Sequence, residues 1–511
     1  MTVRRGSAWT RERVLALSSW HHDWSGLRVA VLGLGVTGFS VADTLVELGA
    51  QVLVIYRGED ADRERLLDVI GAGRARFESD EDQLRELQRF APDLVVVSPG
   101  YRPDHPLTSW AEANGAVVWG DIELGWRLRD KTQRVADWIC VTGTNGKTTT
   151  SQLTAHMLLA GGLRAAPVGN IGVPILDALR DPQGYDVLVV ELSSFQLHRL
   201  GEISPYSSVC LNVADDHLDW HGSAEAYVSA KSKVYEHTQI ACVYNRADAV
   251  TEQMVENADV IEGARAISFG LDSPPPSGFG VVDGLLIDRG FHAERRSEAF
   301  ELVSLSELAE RGLHSPHMVQ NILAASALAR SRGVEPAEIA SAVMSFQPDP
   351  HRVQPLGTVR GIDWVDDSKA TNAHAADASL RAFDHVVWIL GGLLKGVDIG
   401  ALVASHASRL RGAVVLGIER REVLEALQRH APQVPVIEVR PVQTEDTMVA
   451  AVTAALDLAQ PGDTVLLSPA AASMDQFNDY ADRGRKFQDA VRAISGGDSG
   501  GDDTRRGSNA T

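Results

Sequence analysis

Short apolar runs recur along the chain, each followed by a stretch whose apolar positions repeat at helical spacing. The runs at 28–32, 52–57, 94–97, 138–141, 187–190, 364–365, 386–390, 413–416 and 464–467 predict strands. Helical patterns follow several of them, as at 39–48, at Leu153, Met157 and Leu158, and at 321–330. Strands of four to six residues alternating with helices predict an α/β fold with mostly parallel sheets. The pattern breaks into three consecutive domains at 27–128, 129–347 and 348–494, each a mostly parallel sheet with flanking helices. The first and third are expected to be Rossmann-like and the central one P-loop ATPase-like. A polar N-terminal extension (1–26) precedes them, and a Gly/Ser/Asp-rich tail (495–511) is expected to be disordered.

Composition narrows the function classes. Three domains suit a chain of 511 residues, and a formal charge of −20 disfavours nucleic acid and anionic lipid as partners. Cys140, Cys210 and Cys242 have neither disulfide-framework nor metal-site spacing and read as buried, reduced thiols. No apolar run reaches membrane-spanning length, and the arginine-bearing N-terminus lacks a signal-peptide core. The expectation is a cytoplasmic, monomeric protein with no membrane or nucleic-acid partner.

The strongest chemical signal is Gly143-Thr144-Asn145-Gly146-Lys147-Thr148-Thr149, between a strand and a helix. Backbone N–H groups and the helix N-terminus make an anion site there. Lys147 can reach the outer phosphates of a nucleoside triphosphate, and Thr148 can ligate Mg²⁺. The spacing G-x-x-G-K-T is two residues shorter than the common phosphate loop. A second glycine motif, Gly33-Leu34-Gly35-Val36-Thr37-Gly38, also joins a strand to a helix. It predicts a phosphate-type turn, yet the next strand ends in Tyr56-Arg57 rather than an acid for a ribose hydroxyl, which disfavours NAD.

Of 48 lysines and arginines only seven are lysine. Where arginine supplies the generic surface cation, a surviving lysine points to a site that wants a compact or titratable charge. Lys147, Lys369 and Lys395 all follow predicted strands, where open α/β sheets bind ligands. Glu191 ends a strand and could hold Mg²⁺ or cap the next helix. Asp215, Asp216, His217, Asp219 and His221 could bind metal or form a polar loop. His351-Arg352 could be an interdomain ion-pair element, and 366–372 suits a binding loop.

Taken together, the phosphate loop, Gly169-Asn170-Ile171-Gly172, the run 191–197, the run 212–219, Ala230-Lys231, His351-Arg352 and the run 367–372 resemble the Mur ligases. These are ATP-dependent amide-forming enzymes of peptidoglycan synthesis, and the motifs occur in family order across nearly the whole chain. Within the family, 191–197, 367–372, Gly391-Gly392 with Lys395-Gly396, and Leu467-Ser468-Pro469 with 473–477 look like the member that adds D-glutamate. The resemblance implies that UDP-N-acetylmuramoyl-L-alanine, D-glutamate and ATP are the substrates, joined through an acyl phosphate.

It also implies roles. Lys147, Glu191, His217 and Lys231 would be catalytic. Gly143, Thr144, Asn145, Gly146, Lys147, Thr148, Thr149, Asn321, Arg352 and Asp367 would serve ATP. Thr148, Glu191, His217 and a Lys231 carbamylated by CO₂ would hold two Mg²⁺ ions. Val36, Thr37, Ser98 and Gly100 would bind the UDP part, making 27–128 the UDP-substrate domain. Asn170, Ser194 and His217 would face the muramoyl substrate. Lys369, Thr371, Lys395, Ser473 and Tyr480 would surround D-glutamate, with Tyr480 standing where a phenylalanine is familiar.

Overall fold

The computed structural model describes residues 9–440 and 444–496. The described chain divides into two compact units: 9–213 with 224–346, and 214–223 with 347–440 and 444–496.

The first unit contains two sheets. The first is built from β1 (Arg28–Leu32), β2 (Gln51–Tyr56), β3 (Gly73–Arg76), β4 (Leu94–Val97) and β5 (Val117–Gly120). Their order is β3-β2-β1-β4-β5, and all pairings are parallel. The apolar runs at β1, β2 and β4 are buried almost throughout because helices cover both faces. Strand order reverses between β1 and β4, so the turns after these strands flank a crevice of the kind that binds ligands. Residues 9–26 contribute to the core of this sheet. Trp9, Val14, Leu17 and Trp24 are buried in the same core as β1, with Trp24 edge-on to Trp119 at 6.5 Å. The apolar side chains of this segment are widely spaced among polar ones.

The second sheet has nine strands: β6 (Asp137–Thr142), β7 (Ala165–Gly169), β8 (Val187–Glu191), β9 (Ser207–Cys210), β10 (Ala241–Asn245), β11 (Arg265–Phe269), β12 (Gly278–Val282), β13 (Leu285–Asp288) and β14 (Phe300–Ser304). The order is β14-β13-β12-β11-β10-β9-β6-β8-β7, parallel from β7 to β12 and antiparallel at β13 and β14. β6 lies between β8 and β9, so the phosphate loop after β6 emerges beside Glu191 on one side and Asn212 on the other. Helices Lys147–Ala160 and Pro316–Ser331 share the core on one face of this sheet.

The second unit carries β15 (Gln354–Val359), β16 (Ile362–Asp366), β17 (Val386–Gly391), β18 (Leu410–Leu416), β19 (Val436–Glu438) and β20 (Thr464–Leu467). Their order is β15-β16-β20-β17-β18-β19, with only β15 antiparallel to its neighbour. The last helix, Tyr480–Gly496, runs through the expected start of the tail, and 497–511 lie outside the described residues. The cysteines are free and buried, and burial raises each thiol pKa, to about 11 for Cys210 and Cys242. No helix among the described residues is long and apolar enough to cross a membrane.

Candidate functional site

The phosphate loop is held open by its neighbours. Gly146 caps the helix Lys147–Ala160 with φ +85°, and a Cβ there would come within 2.4 Å of Asn321 Oδ1. Glycine thus supplies a left-handed backbone and lets the Asn321 amide lie against the loop. Asn212, just past β9, braces the other side. Its Oδ1 accepts from Asn145 N–H at 2.9 Å, its Nδ2 donates to Asn145 O at 3.1 Å, and its carbonyl accepts from Thr144 N–H at 2.9 Å. The Thr144 hydroxyl meets Tyr227 Oη at 2.9 Å. Thr148 and Thr149 are buried in the first helical turn.

Two lysines converge here. Lys147 Nζ donates to Gly143 O at 2.8 Å and to Thr144 O at 2.9 Å. Lys231, on the helix Ala224–Ser232, is almost fully buried. Its Nζ donates to the same Gly143 carbonyl at 2.9 Å and to Thr142 Oγ1 at 3.3 Å, and lies 4.8 Å from the Tyr227 ring centroid. Tyr227 therefore serves the loop twice, through its hydroxyl and through its ring face.

Glu191 ends β8, paired in register with Val141 of β6. Its Oε1 accepts from Asn170 Nδ2 at 2.9 Å, while its Oε2 is buried with no hydrogen-bond partner. A buried carboxylate oxygen without a donor is costly unless a cation satisfies it. The hard oxygens of Glu191 and Thr148 suit Mg²⁺ in type, so the residues present fit that ion. The described residues contain no group of three or more His, Cys, Asp and Glu placed to hold a metal, so any site here uses a mixed donor set. Gly169 (φ +97°) allows the approach of Asn170, since a Cβ there would lie 2.5 Å from Glu191 O. Ser193 caps the next helix, Ser194–His198, in a capping box with Gln196, which leaves Ser194 buried in the first turn. The Gln196 amide also donates to Asp121 at 3.1 Å. Burial dominates at Asp121 and pushes its pKa up to about 6.

In the first sheet, Val36 and Thr37 open the helix Val36–Glu47, and Ser98 to Gly100 follow β4. Ser98 N–H donates to Leu32 O at 3.0 Å, tying the two turns together. Tyr56 is buried, whereas Arg57 pairs with Asp80. His105 Nε2 lies 3.4 Å from the same carboxylate.

The second unit contains its own cluster. His217 and Lys395 both have left-handed backbones, at φ +55° and +54°, a conformation costly for such residues and concentrated at functional sites. Asp216 joins them. Its Oδ1 accepts from Lys395 Nζ at 3.1 Å and from His217 N–H at 3.0 Å, and Asn372 Nδ2 reaches its other oxygen at 3.4 Å. A cavity of about 810 Å³ opens beside Lys395, lined also by Asp219, Leu393, Ile418 and Arg420.

Just before β15, His351 contacts Asp366, the last residue of β16, through Nδ1 at 2.6 Å, and Gln488 binds the same carboxylate oxygen at 2.8 Å. Asp367 accepts from Val353 N–H, Ser468 Oγ and Ser379 Oγ. Burial outweighs these bonds and the nearby charge of Arg352, leaving the Asp367 pKa raised to about 6. Lys369 Nζ donates to Tyr480 Oη at 3.1 Å and lies 4.7 Å from that ring's centroid. Thr371 N–H donates to Lys369 O at 2.8 Å, and Ser473, after β20, is buried.

The expected residues thus assemble into local groups: Lys147 with Lys231, Glu191 with Asn170, Asn321 with Gly146, His217 with Lys395, Arg352 with Asp367, and Lys369 with Tyr480. The four expected metal ligands divide between the units, with Thr148, Glu191 and Lys231 in the first and His217 in the second. The bracing roles of Asn212, Tyr227, Asp216 and Gln196 were not legible in sequence. Asn212 and Asp216 fall in a motif run, but nothing there distinguishes a brace from a ligand.

Two family models match the chain: the Mur ligase middle domain over residues 141–329 and the Mur ligase glutamate ligase domain over 351–471. A UDP-N-acetylmuramoylalanine–D-glutamate ligase of Leifsonia xyli is 61% identical, covering 98% of this chain and 99% of its own length. Proteins of the same name from Streptomyces coelicolor and Mycolicibacterium smegmatis are 49% and 42% identical over 92% of this chain. Among solved structures, a UDP-N-acetylmuramate–alanine ligase from Thermotoga maritima aligns with a TM-score of 0.54 at 19% identity, covering 91% of this chain and 99% of its own. That likeness concerns the fold.

Proposed function

The chain belongs to the Mur ligase family, and from that premise we infer that it joins D-glutamate to UDP-N-acetylmuramoyl-L-alanine at the expense of ATP. The observation that carries the reading is identity of 42–61% over nearly the whole chain with relatives bearing that one name. An amine does not displace the oxygen of a carboxylate unaided. In this reading the alanyl carboxylate oxygen attacks the γ-phosphorus of ATP, ADP leaves, and an acyl phosphate forms. The D-glutamate nitrogen then attacks the acyl carbon. The tetrahedral adduct loses inorganic phosphate and a proton, leaving the amide. Catalysis is chiefly positioning and charge neutralisation.

Lys147 and the loop Gly143 to Thr149 would cradle the triphosphate, with Asn321, Arg352 and Asp367 on the nucleotide. Glu191 and Thr148 would hold Mg²⁺, with His217 and Lys231 completing a second site once CO₂ has carbamylated Lys231. Magnesium, when bound, neutralises phosphoryl charge. Carbamylation would convert Lys231 from a donor to Gly143 O into an oxygen ligand. Val36, Thr37, Ser98 and Gly100 would bind the uridine diphosphate, and Asn170 and Ser194 the muramoyl part. Lys369, Thr371, Lys395, Ser473 and Tyr480 would meet D-glutamate, whose two carboxylates call for cations. The domains would run 27–128, 129–347 and 348–494.

Phosphate release with D-glutamate, L-glutamate, L-alanine and meso-diaminopimelate as acceptors tests the reading. Release confined to D-glutamate is expected; equal release with another acceptor would overturn it.

A further inference from the structure

Arg483 has no part in the chemistry just described, yet it is one of the most deeply buried charges in the second unit. It lies one turn into the helix Tyr480–Gly496 and is 1% exposed. Its guanidinium donates Nε to Ser368 Oγ at 3.0 Å, Nη2 to Ser368 O at 2.7 Å and Nη1 to Ala471 O at 3.1 Å. All three acceptors are neutral, and Asp475, Asp366 and Asp367 act on it only through their charges. Burial depresses its pKa to about 9. A buried cation with no directly bonded anion is a poor source of stability, and an apolar side chain of similar volume often serves as well.

What the guanidinium supplies is a rigid fork. Ser368 lies in the loop after β16, immediately before Lys369 and close to Thr371. Ala471 lies in the loop after β20, two residues before Ser473. β16 and β20 are neighbours, paired from Asp363–Thr464 to Asp366–Leu467. One side chain therefore bonds both loops that carry the residues assigned to the amino-acid acceptor. The same helical turn adds two contacts: Tyr480 O accepts from Ser368 Oγ at 2.7 Å, and Tyr480 Oη accepts from Lys369 Nζ. A lysine at 483 could carry the charge, but its single ammonium lacks the planar array that binds both loops at once.

We propose that Arg483 is a positioning residue for the acceptor amino acid, fixing the distance between the Lys369–Thr371 loop and the Ser473 loop. The proposal rests on the acceptor site read above.

The test uses the full-length protein carrying Arg483→Lys or Arg483→Met, with KM measured separately for D-glutamate and for ATP, kcat alongside, and thermal melting as a control. A displacement of about 1 Å at reacting groups can cost on the order of a hundredfold, so the KM for D-glutamate should rise at least about tenfold in both variants. The KM for ATP should stay within about twofold. Lysine should rescue no better than methionine. Restoration by lysine would show that charge alone matters and would overturn the proposal. So would an unchanged D-glutamate KM, or a parallel decline in every parameter together with the melting temperature. If neither variant folds, Ser368→Ala removes the hydroxyl shared by Arg483 and Tyr480 O and should raise the same KM about threefold, in line with one lost hydrogen bond; no rise overturns the proposal. If a different amino acid proves to be the acceptor, the functional reading falls, while the same split read on that acceptor still decides the role of Arg483.

Discussion

Asn212→Ala would remove the two side-chain hydrogen bonds that hold Asn145, at 2.9 and 3.1 Å, while leaving the backbone bond from Thr144 N–H intact. Each such bond contributes about 0.5–1.5 kcal/mol net, so the shaped loop should lose roughly 1–3 kcal/mol relative to disordered alternatives. If ATP binds only the shaped loop, that loss appears as a rise of about 5- to 150-fold in the dissociation constant. Titration calorimetry with a non-hydrolysable ATP analogue and Mg²⁺ would read it directly. Binding of the UDP substrate, whose assigned residues lie mainly on the first sheet, should change less than about twofold. Asn212→Asp is the discriminating control. It keeps the acceptor for Asn145 N–H but adds negative charge beside the loop, so it should weaken nucleotide binding at least as much as alanine. Wild-type ATP affinity in Asn212→Ala would refute the bracing role.

Three further outcomes follow from the geometry. Gly146→Ala places a Cβ 2.4 Å from Asn321 Oδ1 on a backbone at φ +85°, so the variant should lose ATP binding by about tenfold or more, with a lower melting temperature measured by scanning calorimetry. Glu191→Gln keeps an acceptor for Asn170 but removes the charge; turnover should fall at least about a hundredfold and the magnesium requirement rise, while the melting temperature without metal holds or increases. Asp121 has a folded pKa of about 6 against an ordinary 3.8, so its contribution to stability is present below the lower value and is lost as pH rises through the upper. Asp121→Asn stays neutral, so urea unfolding should show the variant gaining on wild type between pH 4 and pH 7, by up to roughly 3 kcal/mol.

Much of this was legible in the chain because the signals are local. The phosphate loop, the apolar strands and the strand-terminal Glu191 each announce themselves within a few residues, and the fold class follows from their alternation. Strand-poor segments hid the rest. β3, Gly73–Arg76, carries two arginines and no apolar run, and the antiparallel pair β13 and β14 sits at a sheet edge without a helix between its strands. Trp9 and Trp24 enter the first core from a segment whose polar average masks them. In the sites, ligand-type residues were recognisable by chemistry. The residues that aim them, such as Asn212, Asp216 and Arg483, act across 67, 179 and 115 positions of sequence, and nothing near them reveals the partner. Tyr480 is an intermediate case: its added hydroxyl was visible, but its use as the acceptor for Lys369 required the fold.

If the alanyl carboxylate is activated as an acyl phosphate before D-glutamate attacks it, one of its oxygens must leave with the phosphate. UDP-N-acetylmuramoyl-L-alanine labelled with ¹⁸O in its terminal carboxylate, incubated with ATP, Mg²⁺, D-glutamate and the enzyme, tests that order by mass spectrometry of the products. One labelled oxygen is expected in each inorganic phosphate released, and one retained in the amide carbonyl. Unlabelled phosphate, formed while amide accumulates, would contradict that order.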